Sequence, residues 1–360
     1  MTRDYSHFLP GTAAAPPHRP TPSRLDMLGW QPFFASQITL DALTQTPPVR
    51  VVEIHRSGLR VMGETIETTI PPGLEATVGD WLLYDAVLPT ASTLLERKSV
   101  LKRRAPGHDR RVQLIAANID TAFIVTSCNA DFNVARLERY IALAFEAEID
   151  PVIVITKPDL ADNPQGYLEK AEAISAQVPA LLLDARGDDP TTRLAPWCGS
   201  GRTIAFLGSS GVGKSTLTNA LLGQETAATR GIRDDDAKGR HTTTSRHLHI
   251  RATGCAILDT PGMRELQLTE ASAGLRDVFD DLATLAADCR FRDCRHDTEP
   301  GCAVQAALAR GEIEAERLGR WRKLVAEDAL NTATLAERRS KDRKFGKMIK
   351  GIQKTNRKKR

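Results

Sequence analysis

Aromatic residues make up only 5% of the 360 residues, and six cysteines are too few to staple a chain of this length with disulfides. No apolar run reaches the roughly 18 to 20 residues that a bilayer span requires, and the strongest, 121–126 and 151–156, have the length of buried strands. The opening MTRDYSHFLP carries an acid at Asp4 and no apolar core of about 7 to 15 residues, so no secretory leader is expected. A soluble, cytoplasmic protein with no membrane contact is the expectation. The 41% hydrophobic share excludes wholesale disorder, and at about 150 residues per domain the length allows two or three compact units.

The small net charge of +4 conceals a strong asymmetry. Residues 337–360 hold 12 Lys or Arg against Glu337 and Asp342, a local charge of +10 that leaves −6 on everything before it. Such a tail suits polyanions, and as a bland alternative merely keeps the chain soluble. At the other end, Pro10, Pro16, Pro17, Pro20 and Pro22 read as a flexible lead-in over residues 1–30. Between about 31 and 112, short β-rich stretches at 49–55, 59–62, 68–70 and 81–84 are separated by Ser57-Gly58 and Pro71-Pro72-Gly73. That spacing leaves no room for a long helix and argues for an OB-like β-barrel. Arg97, Lys98, Lys102, Arg103 and Arg104 give its last strand a basic edge, read either as a track for a nucleic-acid backbone or as an ordinary solvated face.

From Gln113 the pattern changes to multidomain α/β. Strand-length apolar runs at 121–126, 151–156, 180–183, 203–207 and 255–258 alternate with helical patterns at 134–146 and 165–177. Continuous apolar strands alternating with helices predict a parallel sheet covered on both faces, with ligands at the carboxyl ends of the strands.

One of those strands runs directly into Gly208-Ser209-Ser210-Gly211-Val212-Gly213-Lys214-Ser215-Thr216. This is the G-x4-G-K-S phosphate loop in its required setting, after a strand and before a helix. The glycines let backbone N–H groups wrap a phosphate at the positive end of a helix dipole. Lys214 suits the β- and γ-phosphates, Ser215 a magnesium ion, and Thr216 the α-phosphate. About 50 residues on, Asp259-Thr260-Pro261-Gly262 comes after a strand and matches the D-x-x-G of switch II, with Asp259 toward magnesium and the Gly262 N–H toward the γ-phosphate. Alone, DTPG would be an ordinary turn. The charged stretch 230–249 between them holds His241-Thr242-Thr243-Thr244, where Thr243 is the expected magnesium ligand of a switch I loop and Thr242 and Thr244 are its neighbours in candidacy.

The base-reading motif stands upstream. In Thr156-Lys157-Pro158-Asp159, the Asp159 carboxylate can accept from both N1–H and the exocyclic amine of guanine, a pairing adenine cannot offer, while the Lys157 stem packs on the ring. K-P-D alone is common turn chemistry. Thr156 replaces the Asn of the usual N-K-x-D and so removes a side-chain amide. Leu183-Asp184-Ala185-Arg186 falls where a second base-contacting loop belongs. The order is therefore base motif, phosphate loop, switch I, switch II, a circular permutation, and it makes any movement of 259–268 covalently continuous with the C-terminal segment.

Beyond switch II lies CRFRDCRHDTEPGCAV. Cys289, Cys294, His296 and Cys302 offer three thiolates and one imidazole within 14 residues, a closed tetrahedral set for one structural Zn²⁺, with uninvolved thiols as the alternative. Cys128, Cys198 and Cys255 read as buried thiols.

Over about residues 31–335 the joint pattern GSSGVGKST, GRHTTT, DTPG and CRFRDCRHDTEPGCAV resembles the RsgA (YjeQ) family of small-ribosomal-subunit GTPases. The resemblance implies a late-acting assembly factor that binds the small subunit and its rRNA near the decoding region and hydrolyses GTP to GDP when that subunit stimulates it; the sequence is silent on oligomeric state, and a monomer fits so asymmetric a partner. The resemblance also implies a helical zinc domain over 269–336 after a permuted GTPase domain over 113–268. Met263 stands where many GTPases carry a water-orienting Gln, as the family does with an apolar residue. The family implicates a histidine before the switch I threonines in hydrolysis, which carries over to His241, otherwise a surface loop histidine. The candidate catalytic set is then His241, Lys214 and Thr243. The competing readings are an ATP-using P-loop enzyme and an RNA-binding module with a passive nucleotide switch.

Overall fold

The computed structural model describes residues 22–104, 112–187, 190–223, 246–259 and 271–332. The lead-in expected through residue 30 ends earlier. Helix α1 (Arg24–Met27) is closed by a capping box in which Ser23 and Asp26 each accept the other's backbone N–H. It delivers Leu28 into the core at 1% exposure and sets Trp30 edge-on against Trp81. The Pro-rich composition stops at Pro22, and the apolar Leu25, Leu28 and Trp30 give the next stretch something to bury. Short helices α2 (Pro32–Ala35) and α3 (Leu40–Gln45) lead into the β unit.

Strands β1 (Pro48–His55), β2 (Gly58–Gly63), β3 (Glu67–Ile70), β4 (Trp81–Leu83) and β5 (Thr93–Leu94) pair antiparallel in the order β3-β2-β1-β4-β5. Alternate residues Val49, Val51, Leu59, Val61, Ile70 and Leu82 make its core. A register shift between Val51 and Glu53 lets β1 bend within this OB-like unit. Strands β6 (Val100–Arg104) and β7 (Val112–Ala117) form a separate antiparallel pair. The domain boundary expected at Gln113 thus falls inside β7, because that strand finds its partner in β6 and not in the α/β sheet.

Two members of the basic edge turn inward. Arg97 donates to both oxygens of the buried Asp80, which with their charge attraction raises its pKa, and Lys98 donates to the buried Asp120 at 2.8 Å. These two cations are committed to internal acids, and Arg103 bonds Gln113. Arg50 is fully buried where the β unit meets the N-terminal segment: it donates to the carbonyls of Gly79, Asn118 and Leu28 and lies 5.7 Å from the Trp81 ring. Burial pulls its pKa down to about 10 against the opposing pull of Asp120 and Asp80.

The α/β unit runs β8 (Thr121–Ser127), α4 (Val134–Glu146), β9 (Asp150–Thr156), α5 (Pro164–Glu172), β10 (Ala180–Leu182), α6 (Pro190–Leu194), β11 (Thr203–Leu207), α7 (Lys214–Leu222), β12 (His247–Ile250) and β13 (Ala256–Asp259). The sheet order is β10-β9-β8-β11-β13-β12, and successive side chains go to opposite faces: Ile124 and Ile153 join one core, Phe123, Val125 and Val152 the other. The five strands expected from sequence pair parallel throughout, and β12, which is not among them, joins at one side. It is antiparallel to β13 because the connection is a tight turn in which Gly254 and Arg251 hydrogen-bond, far too short for a crossover. It also pairs with β1 through Glu53 and His247, so one sheet continues from the α/β unit into the β unit. Helix 165–177 stops at Glu172, and Ile174 and Val178 are buried from the turn beyond it.

Four further helices follow among the described residues: α8 (Ser272–Val278), α9 (Asp280–Ala287), α10 (Ala303–Arg310) and α11 (Ala315–Thr332). Helix α8 lies close on α4, since a Cβ on Gly274 would sit 2.0 Å from the Ala142 carbonyl oxygen. No helix among the described residues is long and apolar enough to cross a membrane.

Candidate functional site

The phosphate loop leaves the carboxyl end of β11. Gly208 has φ 140°, and a Cβ there would lie 2.2 Å from the Val125 carbonyl oxygen on β8, so only glycine lets the loop rest on the neighbouring strand. Gly213 adopts φ 101° at the N-cap of α7, and no side chain caps that helix. The N–H groups of its first turn therefore face an anion site at the positive helix end. Lys214 Nζ donates to the Gly208 carbonyl at 2.8 Å and to that of Ser209, folding the side chain over the loop. Val212 is buried beneath, whereas Ser210, Gly211 and Ser215 are exposed or half-buried around it and Thr216 lies on the first turn of α7.

The Thr156–Asp159 segment leaves β9, two strands away, on the same side of the sheet. The buried Thr156 hydroxyl donates to the Val212 carbonyl at 2.6 Å and stands 3.1 Å from the Thr126 carbonyl. Lys157, at φ 56°, donates to the Gly211 carbonyl at 2.6 Å. Base motif and phosphate loop are thus in direct contact, as the permuted order requires. Replacing Asn by Thr does not leave the motif detached, because the shorter hydroxyl reaches the loop backbone. Pro158 opens a 3-10 turn that presents Asp159 at the surface. The Cys128 thiol nearby is pushed up in pKa, chiefly by burial and further by the Asp159 charge. Ala185 completes the wall: its Cβ would be 3.8 Å from a Cβ on Gly213, while Asp184 turns back to accept the Arg186 N–H. His241, Thr243 and its neighbours, Gly262 and the Asp259 side chain lie outside the described residues.

The second cluster is far along the chain. One ligand atom each from Cys289, Cys294, His296 and Cys302 lie within 4.8 Å of one another. Cys289 Sγ is 3.4 Å from His296 Nδ1 and 3.8 Å from Cys302 Sγ, and Cys302 Sγ is 3.6 Å from the same nitrogen. A tetrahedron with Zn–S near 2.3 Å and Zn–N near 2.05 Å has edges of about 3.8 and 3.6 Å, so the residues fit zinc. His296 sits at φ 59° and stacks near Trp321 on α11, and its carbonyl accepts from Gln305 and Arg322. Glu299 accepts the Arg295 and Asp297 N–H groups, which holds its pKa down to about 2 and braces the loop around the histidine. Cys128, Cys198 and Cys255 are buried, as their isolation in sequence suggested.

Sequence reading missed the polar supports. Arg136 near the start of α4 donates to Asp131 at 2.8 Å and to the hydroxyl of Ser209 in the phosphate loop. Glu138, at 0% exposure, receives both oxygens' bonds from Arg320 of α11 at 2.9 Å. No local signal marks either pair, because the partners are 73 and 182 residues apart.

Comparison with known proteins agrees with this geometry. The family model described as RsgA GTPase matches residues 94–269, and that of the ABC transporter matches 196–347, a segment that includes the phosphate loop. The small ribosomal subunit biogenesis GTPase RsgA 2 of Vibrio vulnificus is 48% identical over 338 residues, covering 92% of this chain and 96% of that protein. The small ribosomal subunit biogenesis GTPase RsgA of Mesorhizobium japonicum is 48% identical over 320 residues, covering 87% and 92%. Among solved structures, YjeQ from Thermotoga maritima superposes with a TM-score of 0.57 at 24% identity, over 78% of this chain and 97% of that one. YloQ, a circularly permuted GTPase, gives 0.55 at 23% identity over 80% and 97%. With the permuted order of motifs, the fold and relatives matched almost end to end, this chain belongs to the RsgA family of small ribosomal subunit biogenesis GTPases.

Proposed function

We propose that the chain is a cytoplasmic, monomeric GTP hydrolase that binds the small ribosomal subunit and its rRNA during late maturation and is stimulated by it. The observation that supports the nucleotide half is the contact between Thr156-Lys157 and the carbonyls of Val212 and Gly211, which joins the segment carrying Asp159 to the phosphate loop. In this reading Thr156, Lys157, Pro158 and Asp159 frame the base. Residues 208–216 wrap the phosphates, and Lys214 leaves its resting carbonyls for the β- and γ-oxygens. Ser215 and Thr243 would hold magnesium, oriented by Asp259, and the ion would draw charge from the phosphates, while the Gly262 N–H would sense the γ-phosphate. His241 orients water once rRNA fixes switch I. Cys289, Cys294, His296 and Cys302 hold a structural zinc that shapes the surface offered to RNA. The names of the relatives supply the ribosomal half.

The deciding experiment is GTP turnover with and without small subunits. Strong stimulation is expected, lost in His241→Ala; turnover that ignores the subunit would refute the proposal. GTP-state affinity for the subunit should exceed GDP-state affinity, because hydrolysis is the release step.

A further inference from the structure

We propose that Arg136 is a positioning residue for the phosphate loop, and that α4 passes the docking of the C-terminal helices on to it. This rests on the reading of residues 208–216 as the guanine-nucleotide site. Arg136 is anchored from three sides. Its own N–H is held by the Asn133 cap at 3.0 Å, and its guanidinium by Asp131 at 2.8 Å. Asp131 is in turn fixed by the Asn129 carboxamide, which accepts its N–H at 2.9 Å. The guanidinium also donates to the Ser209 hydroxyl.

Ser209 is where that contact counts. It is the first residue after Gly208, and its carbonyl is one of the two that hold Lys214 in the resting loop. When Lys214 swings to a bound phosphate, the loop loses that internal brace. The Arg136 bond to Ser209 remains, and it ties the loop to a helix with a rigid neighbour.

The neighbour is the C-terminal module. Glu146 at the end of α4 accepts the N–H groups of Ala273 and Gly274 at the start of α8, each at 3.0 Å. Glu138 is clamped by Arg320, Arg139 pairs with Glu327, and the backbones approach closely at Gly274. Helices α8 and α11, which flank the zinc-ligand segment in the chain, therefore grip α4 along its length, and the first turn of α4 touches the phosphate loop. Switch II is the covalent route between the two units, and α4 is a second, noncovalent one that does not pass through residues 260–270.

The test uses the full chain and a fluorescent GDP, with bound zinc and thermal unfolding as checks of folding. Arg136→Ala and Ser209→Ala should each weaken GDP binding about tenfold, and the double variant should be no weaker than either alone, since one bond is removed in all three. Arg136→Lys should recover only part, because Asp131 and Ser209 both meet the outer Nη1 of the guanidinium, a point that the shorter reach of a lysine ammonium does not match. For the relay, the paired change Glu138→Gln with Arg320→Gln removes the clamp without leaving a lone buried charge. It should weaken GDP binding in the native chain and lose that effect in an Arg136→Ala background. Additive losses in either cycle, or unchanged binding in folded Arg136→Ala, would overturn the proposal. Failure of the unaltered chain to bind GDP would instead sink the nucleotide site itself.

Discussion

Three single residues decide whether the nucleotide pocket works as drawn. In the proposed reading Asp159 selects guanine by accepting two hydrogen bonds, so Asp159→Asn, which presents an amide N–H to the exocyclic position, should lose about 100-fold in GTP affinity and gain affinity for xanthosine triphosphate, whose carbonyl there can accept. Competition titration reads this directly. Thr156→Val keeps shape but removes the buried hydroxyl that meets the Val212 and Thr126 carbonyls. It should cost about 1–3 kcal/mol in thermal unfolding and weaken GDP binding as well. Gly208→Ala forces a Cβ to 2.2 Å from the Val125 oxygen and should abolish nucleotide binding even where the chain still folds. These residues were legible in sequence because each serves a motif whose spacing is local. Arg136, Glu138 and Arg50 were not, since a lone charged residue inside a helix or strand reads the same whether it faces water or a partner built far along the chain.

Among secondary elements, what was read best was what is apolar and continuous. The TIAFL strand and the helix beginning at Val134 have the bounds their patterns suggested, because burial on one or both faces leaves a clear period. The strand HLHI disappeared into the charged stretch 230–249, since alternating histidines hide the apolar face of β12, where Leu248 is buried at 2%. The packing of α4 on α8 depends on a missing side chain, and Gly274→Val should separate the two helices. Overpacking of about 1–3 kcal/mol or more is expected, visible as a lowered unfolding temperature and faster proteolysis after residue 270. Arg320→Ala is predicted to be harsher than Glu138→Gln, because it leaves a buried carboxylate, whose pKa burial already drives upward, with only the longer 3.8 Å pairing to Arg317. A loss of about 3–5 kcal/mol is the expected scale.

At the scale of the whole chain, two kinds of cohesion are separable. The α/β sheet is held by two apolar cores, whereas the segment 289–302 has few buried apolar residues and leans on its four ligands. Chelation of zinc should therefore loosen that segment and lower a first melting transition while GDP protection of the sheet persists, a difference that hydrogen exchange would map. The basic stretch 337–360 lies outside the described residues, yet its +10 charge makes a clear statement about salt. Removing it should flatten the salt dependence of RNA binding, by about 0.7 in the logarithmic slope for each phosphate that is no longer neutralised. The sheet order carries one last consequence, for how the chain is born. Strand β8 leaves the ribosome first and β9 follows one helix later, but β11, which must lie against the other side of β8, emerges about 80 residues after β8. At about 5 to 20 residues per second, the edge of a strand that is buried throughout in the finished fold waits several seconds for its partner during synthesis. A factor that tends ribosome maturation thus passes its own most sticky moment at the exit of a ribosome, with the guanine half of its pocket laid down before the phosphate half exists.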